Sequence, residues 1–354
     1  MATVPHRHRR TTQRHQYGVM TTLVTGASGF IGSHVTRLLV ERGDHVRALV
    51  RRNSRVDALA GLPVDLVHGD LADRASLDAA IRGVRRVFHV AADYRLWARD
   101  PRAIYETNVE GTRRLLDACT RIDLERFVYT SSVATVAVSR NGSLPDERTI
   151  AQVDEMVGHY KRSKLLAEQA VLDAASRGLP AIVVNPTTPV GPGDWKPTPT
   201  GRIIVDFLRG RMVAYVNTSL NLVPVEDVAA GHLLVADHGR IGERYILGAR
   251  NMTLKAIFEV LAAGSGRPAP HVRIPFALAL AVGSASELWA RITNREPMVP
   301  LEGVRMARHS MCVDCSKTGR ELGFTPGSVD QALERAVAWY FDRGYVPPIR
   351  RDRL

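Results

Sequence analysis

Three glycines spaced three apart, Gly26, Gly29 and Gly32 in "VTGASGFIGSHV", constrain this 354-residue chain more than any other feature. The run before them, "TTLVTGA" (21–27), is short and apolar and ends in a glycine turn, the pattern of a buried strand. The stretch after them, 31–41, has helical periodicity, with Val35, Leu38 and Leu39 on one face. Strand, glycine loop and helix in that order make a cradle for a pyrophosphate, one residue wider in its first gap than the commonest dinucleotide fingerprint. In such a cradle Gly26 permits the sharp turn off the strand. Gly29 lets the backbone approach the phosphates without a Cβ in the way, and Gly32 allows close helix–strand contact. The helix start adds free N–H groups and partial positive charge.

The alternation continues beyond the loop. Strands are predicted at 45–51, 64–70, 86–92, 126–132 and 181–186, with helical stretches between them such as 76–81 and 104–120. Strands alternating with helices at this spacing predict an α/β fold, a Rossmann doubly wound parallel sheet. After Pro186 the run "NPTTPVGPGDWKPTPTG" leaves the sheet. Later pieces are short and mixed: 220–237, 243–248 and helices near 253–263, 275–292 and 329–342. They predict a smaller C-terminal α/β substrate lobe at the sheet's C-terminal edge. For the apolar helix near 275–292, packing in the core is the simplest account. The expected organisation is a basic tail over 1–20, a nucleotide-binding domain over 21–186, a substrate lobe over 187–345 interleaved with the sheet, and a tail over 346–354.

Charge narrows the partners. The formal net charge is +12, yet four of the arginines, Arg7, Arg9, Arg10 and Arg14, lie in the first 20 residues. No block of Lys/Arg with interleaved aromatics follows, so nucleic acid is not an expected partner. The first 20 residues carry no apolar stretch of the secretory kind. They read as a disordered tail or an overlong start, with Met20 immediately before the first strand, or as an arm that touches acidic partners. No apolar run approaches the roughly 20 residues that a membrane-spanning helix needs. Three cysteines, an odd and low number, argue for a reducing, cytoplasmic compartment. Two of them form "CVDC" at 312–315 just after His309, but a zinc site would lack a fourth ligand. Incidental thiols are the simplest reading, a redox or metal role the alternative, and no metal is expected.

Two further patterns carry chemistry. The second strand ends "ALVRR": Val50 stands where readers of NAD place an acid, and Arg51 and Arg52 follow, offering a donor fork suited to a 2′-phosphate. NADP(H) is therefore favoured over NAD(H). Asp70, ending the third strand in "HGDLAD", suits the adenine amino group and also a helix N-cap. "HYKRSK" sets Tyr160 and Lys164 four apart on one helix face, where the Lys favours the phenolate and lets the phenol trade a proton with a substrate oxygen. "TSS" (130–132) closes the fifth strand, and a Ser there can hydrogen-bond that oxygen. Asn108, in "TNVEGT", could order the helix or a water, with a purely structural role the equal alternative.

Together "TGASGFIG", "GDLAD", "VFHVAA", "NVEGT", "YTSS", "YKRSK", "NP…VGP", "PVEDVAAGH" and "LGF" resemble, in order, the landmarks of the extended short-chain dehydrogenase/reductase family, that of NAD-dependent epimerases and dehydratases. The likeness covers about residues 21–342. Within the family "AADYRLWARDP", "GHYKRSK" and "KPTPTGRIIVDF" look like the hopanoid-associated sugar epimerases. "ASGFIGS…VRALVR" and "VFHVA" are similar to dihydroflavonol-4-reductase-like enzymes, which use NADPH. The resemblance implies that Ser132, rather than Ser131, meets the substrate oxygen. It implies that Tyr160 is the general acid/base and that Lys164 binds the nicotinamide ribose and tunes the Tyr. It implies cofactor contacts at Gly26, Ser28, Gly29, Phe30, Ile31, Gly32, Arg51, Asp70, Leu71, Ala91, Ala92 and Pro186, besides Tyr160 and Lys164. It further implies a small-molecule substrate, sugar- or lipid-linked among the options, and either a homodimer built on the helices near 100–120 and 157–175, as often in relatives, or a monomer, as in others. The Arg-Asp-Phe run by which nucleotide-sugar epimerases reach substrate phosphates is absent from "SLNLVPVEDVA"; Arg202 or Arg211 are the available substitutes. The expected activity is an NADP(H)-dependent oxidoreductase, with a sugar epimerase as the alternative.

Overall fold

The computed structural model describes residues 20–136 and 143–347. The expectations for the N-terminal tail and its arginines lie outside the described residues. In chain order the strands are β1 (Thr21–Thr25), β2 (His45–Val50), β3 (Asp65–His68), β4 (Arg86–His89), β5 (Arg126–Thr130), β6 (Ala181–Pro186), β7 (Thr188–Val190), β8 (Ala214–Tyr215), β9 (Ser219–Pro224), β10 (Arg244–Leu247), β11 (Arg250–Thr253) and β12 (Val272–Arg273). The helices are α1 (Phe30–Glu41), α2 (Arg74–Ala80), α3 (Arg102–Tyr105), α4 (Gly111–Cys119), α5 (His159–Ser176), α6 (Pro199–Leu208), α7 (Val225–His238), α8 (Leu254–Ser265), α9 (Phe276–Thr293), α10 (Leu301–Met306), α11 (Ser316–Leu322) and α12 (Val329–Asp342).

Seven strands make one all-parallel sheet in the order β10-β6-β5-β4-β1-β2-β3. The expected doubly wound sheet is present, with one more strand than the sequence reading gave it. The run at 243–248, expected in the smaller lobe, supplies β10 beside β6. Its residues Tyr245, Ile246 and Leu247 are fully buried. An edge strand needs partners for its free backbone groups. Here Glu147 accepts the Ile246 N–H at 2.9 Å, Thr318 donates to the Ile246 carbonyl at 2.8 Å, and Lys317 donates to the Arg244 carbonyl at 2.8 Å.

The sheet is buried on both faces. One face packs Leu23, Val87, Phe127 and Val183 against α2, α4 and α5. The other packs Val24, Phe88, Val128 and Val184 against α1 and α7, with Phe324 closing the edge. The α1 helix shows how local sequence sets this geometry: Val35, Thr36 and Leu39 recur at helical spacing and are buried. The helix stops at Gly43, whose φ of +92° is open to glycine, and the Asp44 N–H turns back to the Leu39 carbonyl.

The remaining chain forms a smaller lobe. β7, β9 and β11 make a three-stranded sheet against α6, α8 and α12, around Phe207, Phe258 and Leu333. Val346, the first residue assigned to the C-terminal tail, is 1% exposed in this core, and 348–354 lie outside the described residues. The predicted helix over 104–120 is real but interrupted. Between α3 and α4, residues 106–110 widen into one π turn. Such turns recur at functional sites, and this one carries Asn108.

Candidate active site

The strand order reverses between β4 and β1, which leaves a crevice past the carboxyl ends of the strands. The candidate residues collect along that edge. Gly26 to Gly32 follow β1, Arg51 follows β2, and Asp70 and Leu71 follow β3. Ala91 and Ala92 follow β4, Ser132 follows β5, and Pro186 ends β6.

The glycine loop has the geometry of a phosphate cradle. Gly26 adopts φ +69°, and a Cβ there would sit 2.6 Å from the Ala91 backbone N. A Cβ on Gly32 would sit 2.1 Å from the Gly26 carbonyl oxygen, so the close contact it permits is with the turn rather than with the strand proper. Gly29 is exposed, caps α1 without a side chain, and has only the Gly26 carbonyl near its Cβ position, at 3.1 Å. No acid stands in the first turn of α1. The free N–H groups and partial positive charge of the helix start fit a dinucleotide pyrophosphate. Ser28, Phe30 and Ile31 are half-buried around the turn.

Past β2, Arg51 and Arg52 are exposed, and among the described residues neither is ion-paired. Asp70 is exposed, and its side chain accepts the Ala72 N–H at 2.9 Å. It does not cap the next helix: Asp73 does, accepting from Ala75 and Ser76. The capping role expected of Asp70 thus belongs to its neighbour three residues on, because α2 starts at Arg74. Leu71 is buried against Gly111, whose Cβ would lie 2.8 Å away.

Tyr160 and Lys164 lie in the first turns of α5, both buried. The Lys164 Nζ donates to the Thr130 carbonyl at 2.6 Å and sits 4.4 Å over the Tyr129 ring. Burial pulls this ammonium down to about 7, with the Glu168 charge opposing. Burial pushes the Tyr160 phenol up to about 12, and hydrogen bonding by Ser132 pulls the other way. The Lys164 ammonium is turned to Thr130 and Tyr129. Ser132 also caps the short turn over 133–135 by accepting the Ala134 N–H at 3.1 Å. Ser131 is engaged otherwise, donating to Glu168. That separates the two serines.

Several site residues were not singled out in the sequence. Tyr94 packs against Tyr160 with ring centroids 4.4 Å apart and the ring planes tilted by 32°. Asn108 places it: the amide accepts the Asp93 N–H at 2.7 Å, donates to the Asp93 carbonyl at 3.1 Å and donates to Ser163 at 2.9 Å. Asn108 thereby ties the loop after β4 to α5. Glu168 is a buried hub, accepting from Thr135 and Asn185 at 2.8 Å each and pairing with Arg244 at 2.8 Å. It lies one further turn along the Tyr160–Lys164 face, a spacing visible in the sequence. His232 donates Nδ1 to the Val228 carbonyl at 2.7 Å and takes the Thr130 hydroxyl on Nε2 at 2.9 Å. It thereby steadies the residue whose carbonyl holds Lys164.

The start of α5 is completed from far along the chain. Gly158 has φ +88°, and a Cβ there would lie 1.9 Å from the Glu302 carboxyl carbon. Glu302, on α10, lies against that start, and burial raises its carboxyl to about 7 against the pull of the nearby His159 N–H, Lys161 and Arg162. No local sequence signal links these residues.

The other expectations are placed as follows. Arg202 pairs with Glu296 at 3.2 Å and Arg211 with Asp206 at 3.5 Å, both exposed. In the run lacking the Arg-Asp-Phe signature, Leu220 is buried and the Asn221 side chain donates to Asn251 at 2.8 Å. Cys312 and Cys315 are free thiols, and the chain around them is held by backbone bonds between Met311 and β9. No helix among the described residues is long and apolar enough to cross a membrane.

A parallel sheet with a phosphate cradle at its switch point and a buried Tyr–Lys helix beside it defines an enzyme that uses a nicotinamide dinucleotide. The chain belongs to the NAD-dependent epimerase/dehydratase family, whose model matches residues 22–248, and so to the extended short-chain dehydrogenases/reductases. A Synechocystis protein provisionally named dihydroflavonol 4-reductase is 47% identical over 327 residues, 91% of this chain and 95% of that one. Sterol demethylase protein B of Methylococcus capsulatus is 37% identical, covering 92% and 100%. The crystal structure of gox2253 is similar with a TM-score of 0.83 at 44% identity, covering 92% of this chain and 99% of that one.

Proposed function

We propose that this protein is an NADP(H)-dependent reductase that converts a carbonyl to a carbinol, in the manner of dihydroflavonol-4-reductase-like enzymes. The observation that carries the reading is the place of Tyr160, buried on α5 against Tyr94, one turn before the Lys164 that binds the Thr130 carbonyl at the edge where β5 ends. A protonated phenol is ready to act as an acid, as carbonyl reduction requires; alcohol oxidation needs it ionised first. A nicotinamide dinucleotide bound along the strand ends supplies the hydride that the carbonyl carbon accepts. Tyr160 gives its proton to the carbonyl oxygen, and Ser132 orients that oxygen. Lys164, charged or neutral near pH 7, stabilises the phenolate left behind. Tyr94, packed against Tyr160, shields the phenol from water and offers a flat apolar wall to the substrate.

The preference for the 2′-phosphorylated cofactor is supported by Arg51 and Arg52, exposed beyond β2 and without an ion pair among the described residues. The test is NADPH oxidation over a panel of carbonyl compounds and nucleotide sugars, with products identified. Net consumption matched mole for mole by carbinol is expected. Interconversion of sugars with no net change in NADPH would replace this reading with epimerisation. Wild type should bind NADPH more tightly than NADH, and Arg51→Ala should erase the difference. Equal affinities in the wild type would remove the role of Arg51.

A further inference from the structure

The apolar helix expected to pack in the core does not. Only Ala279, Gly283 and Ala290 of α9 are buried, all of them small. They face the short helix α10, where a Cβ on Gly283 would lie 3.2 Å from Val304. The large apolar side chains point outward. Leu278, Val282, Leu288, Trp289 and Ile292 are 52%, 47%, 61%, 67% and 71% exposed, and Met298 just beyond the helix is 96% exposed. Their spacing puts them on one continuous stripe. A contiguous apolar surface of this kind marks an interaction site.

Charge identifies what covers it. Between residues 267 and 309 the chain has six arginines against three glutamates and neither Lys nor Asp. Arg273, Arg295 and Arg305 are exposed and have no ion pair among the described residues. Glu287 is paired with Arg291 at 2.9 Å, Glu296 with Arg202, and Glu302 faces α5. A second copy on this face would oppose arginines to arginines, with no carboxylate to spare. An anionic surface meets both features at once: aliphatic and indole groups enter the acyl boundary while arginines stay among the headgroups.

We propose that the outer face of α9 is a docking surface for an anionic lipid bilayer, on which the helix lies in the plane of the interface. The attachment is independent of the substrate and of the reaction direction.

The test is flotation of the full-length protein with phosphatidylcholine vesicles with and without phosphatidylglycerol. The wild type is expected to float with the anionic vesicles, to release as salt rises and to stay behind with the neutral ones. The variant Leu288→Ser/Trp289→Ser/Ile292→Ser should lose about tenfold or more of the bound fraction. The variant Arg291→Glu/Arg295→Glu should lose the dependence on phosphatidylglycerol. Both change exposed side chains, and an unchanged melting temperature and NADPH affinity will show that each is folded. Three results would overturn the proposal. One is a wild type that does not float with anionic vesicles. Another is a triple serine variant that floats as well as the wild type, which would assign binding to the N-terminal arginines. The third is light scattering in which the same variant turns a wild-type dimer into a monomer, which would give the face to a second copy.

Discussion

At Tyr160 burial and hydrogen bonding pull in opposite directions, and burial prevails. Tyr160→Phe keeps the ring and its packing against Tyr94 while removing only the O–H. It is expected to leave NADPH affinity near wild type and to cut turnover about 10² to 10⁴-fold, the usual worth of a positioned acid. Steady-state rates beside a fluorescence titration will check both. A second buried acid bears on stability. Asp194 accepts from Thr198 and Tyr340, yet burial raises it to about 6 from its usual 3.8. A carboxyl raised on folding favours the folded state most below its unfolded value, and that benefit fades as pH rises through the folded one. Chemical unfolding from pH about 7 to about 4 should therefore favour the wild type over Asp194→Asn, progressively, by on the order of 3 kcal/mol. A difference that stays constant with pH would mean that Asp194 does not titrate in this range.

Among the elements, α5 matters most, because it carries Tyr160 and Lys164 from a start that has no cap of its own. Glu302→Ala removes the carboxyl that lies against the uncapped start of α5 and is expected to cost about 1 kcal/mol, of the order that a lost cap costs. It should lower turnover more than cofactor affinity, since fraying of the first turn moves Tyr160 before Lys164. Glu302→Gln keeps the shape of the side chain and should restore most of the rate, while removing from the pH–rate profile the contribution of this carboxyl and leaving that of Lys164. Gly158→Ala, at φ +88° and against Glu302, should lose more, roughly 1–3 kcal/mol in thermal or urea unfolding. This scale also marks what the sequence can reveal. The glycine loop and the Tyr–Lys pair were legible because each lies within one element, where spacing alone fixes the geometry. Tyr94 over Tyr160 and Glu302 on His159 were not, since each contact joins segments that no periodicity connects. Arg51 lies between the two cases: its place past β2 follows from the pattern, and its ligand does not. The capping of α2 by Asp73 instead of Asp70 is the ordinary slippage of a boundary judged from composition.

For the whole molecule, the late chain is part of the sheet rather than an appendage. β10 was misplaced because "ERYILG" is too short to declare its neighbour, and only its pairing with β6 put it in the main sheet. The far side of that strand is closed by Lys317, Thr318 and Phe324. Phe324→Ala is expected to destabilise the entire chain by about 3–5 kcal/mol, the usual cost of emptying such a site, in one transition seen alike by far-UV dichroism and tryptophan fluorescence. Loss of the tryptophan signal ahead of the dichroism would show that the smaller lobe melts by itself.

The reliance of α5 on Glu302 has a consequence for how the protein is made. Chains are synthesised from the N-terminus, and the glycine cradle, the first six strands and α5 all emerge well before residue 302. A nascent chain can shape the nucleotide cradle early, but the helix bearing Tyr160 lacks its last partner until α10 is out. The start of α5 is thus completed only once α10 has been made, by a segment more than 130 residues further along the chain than the helix start it supports.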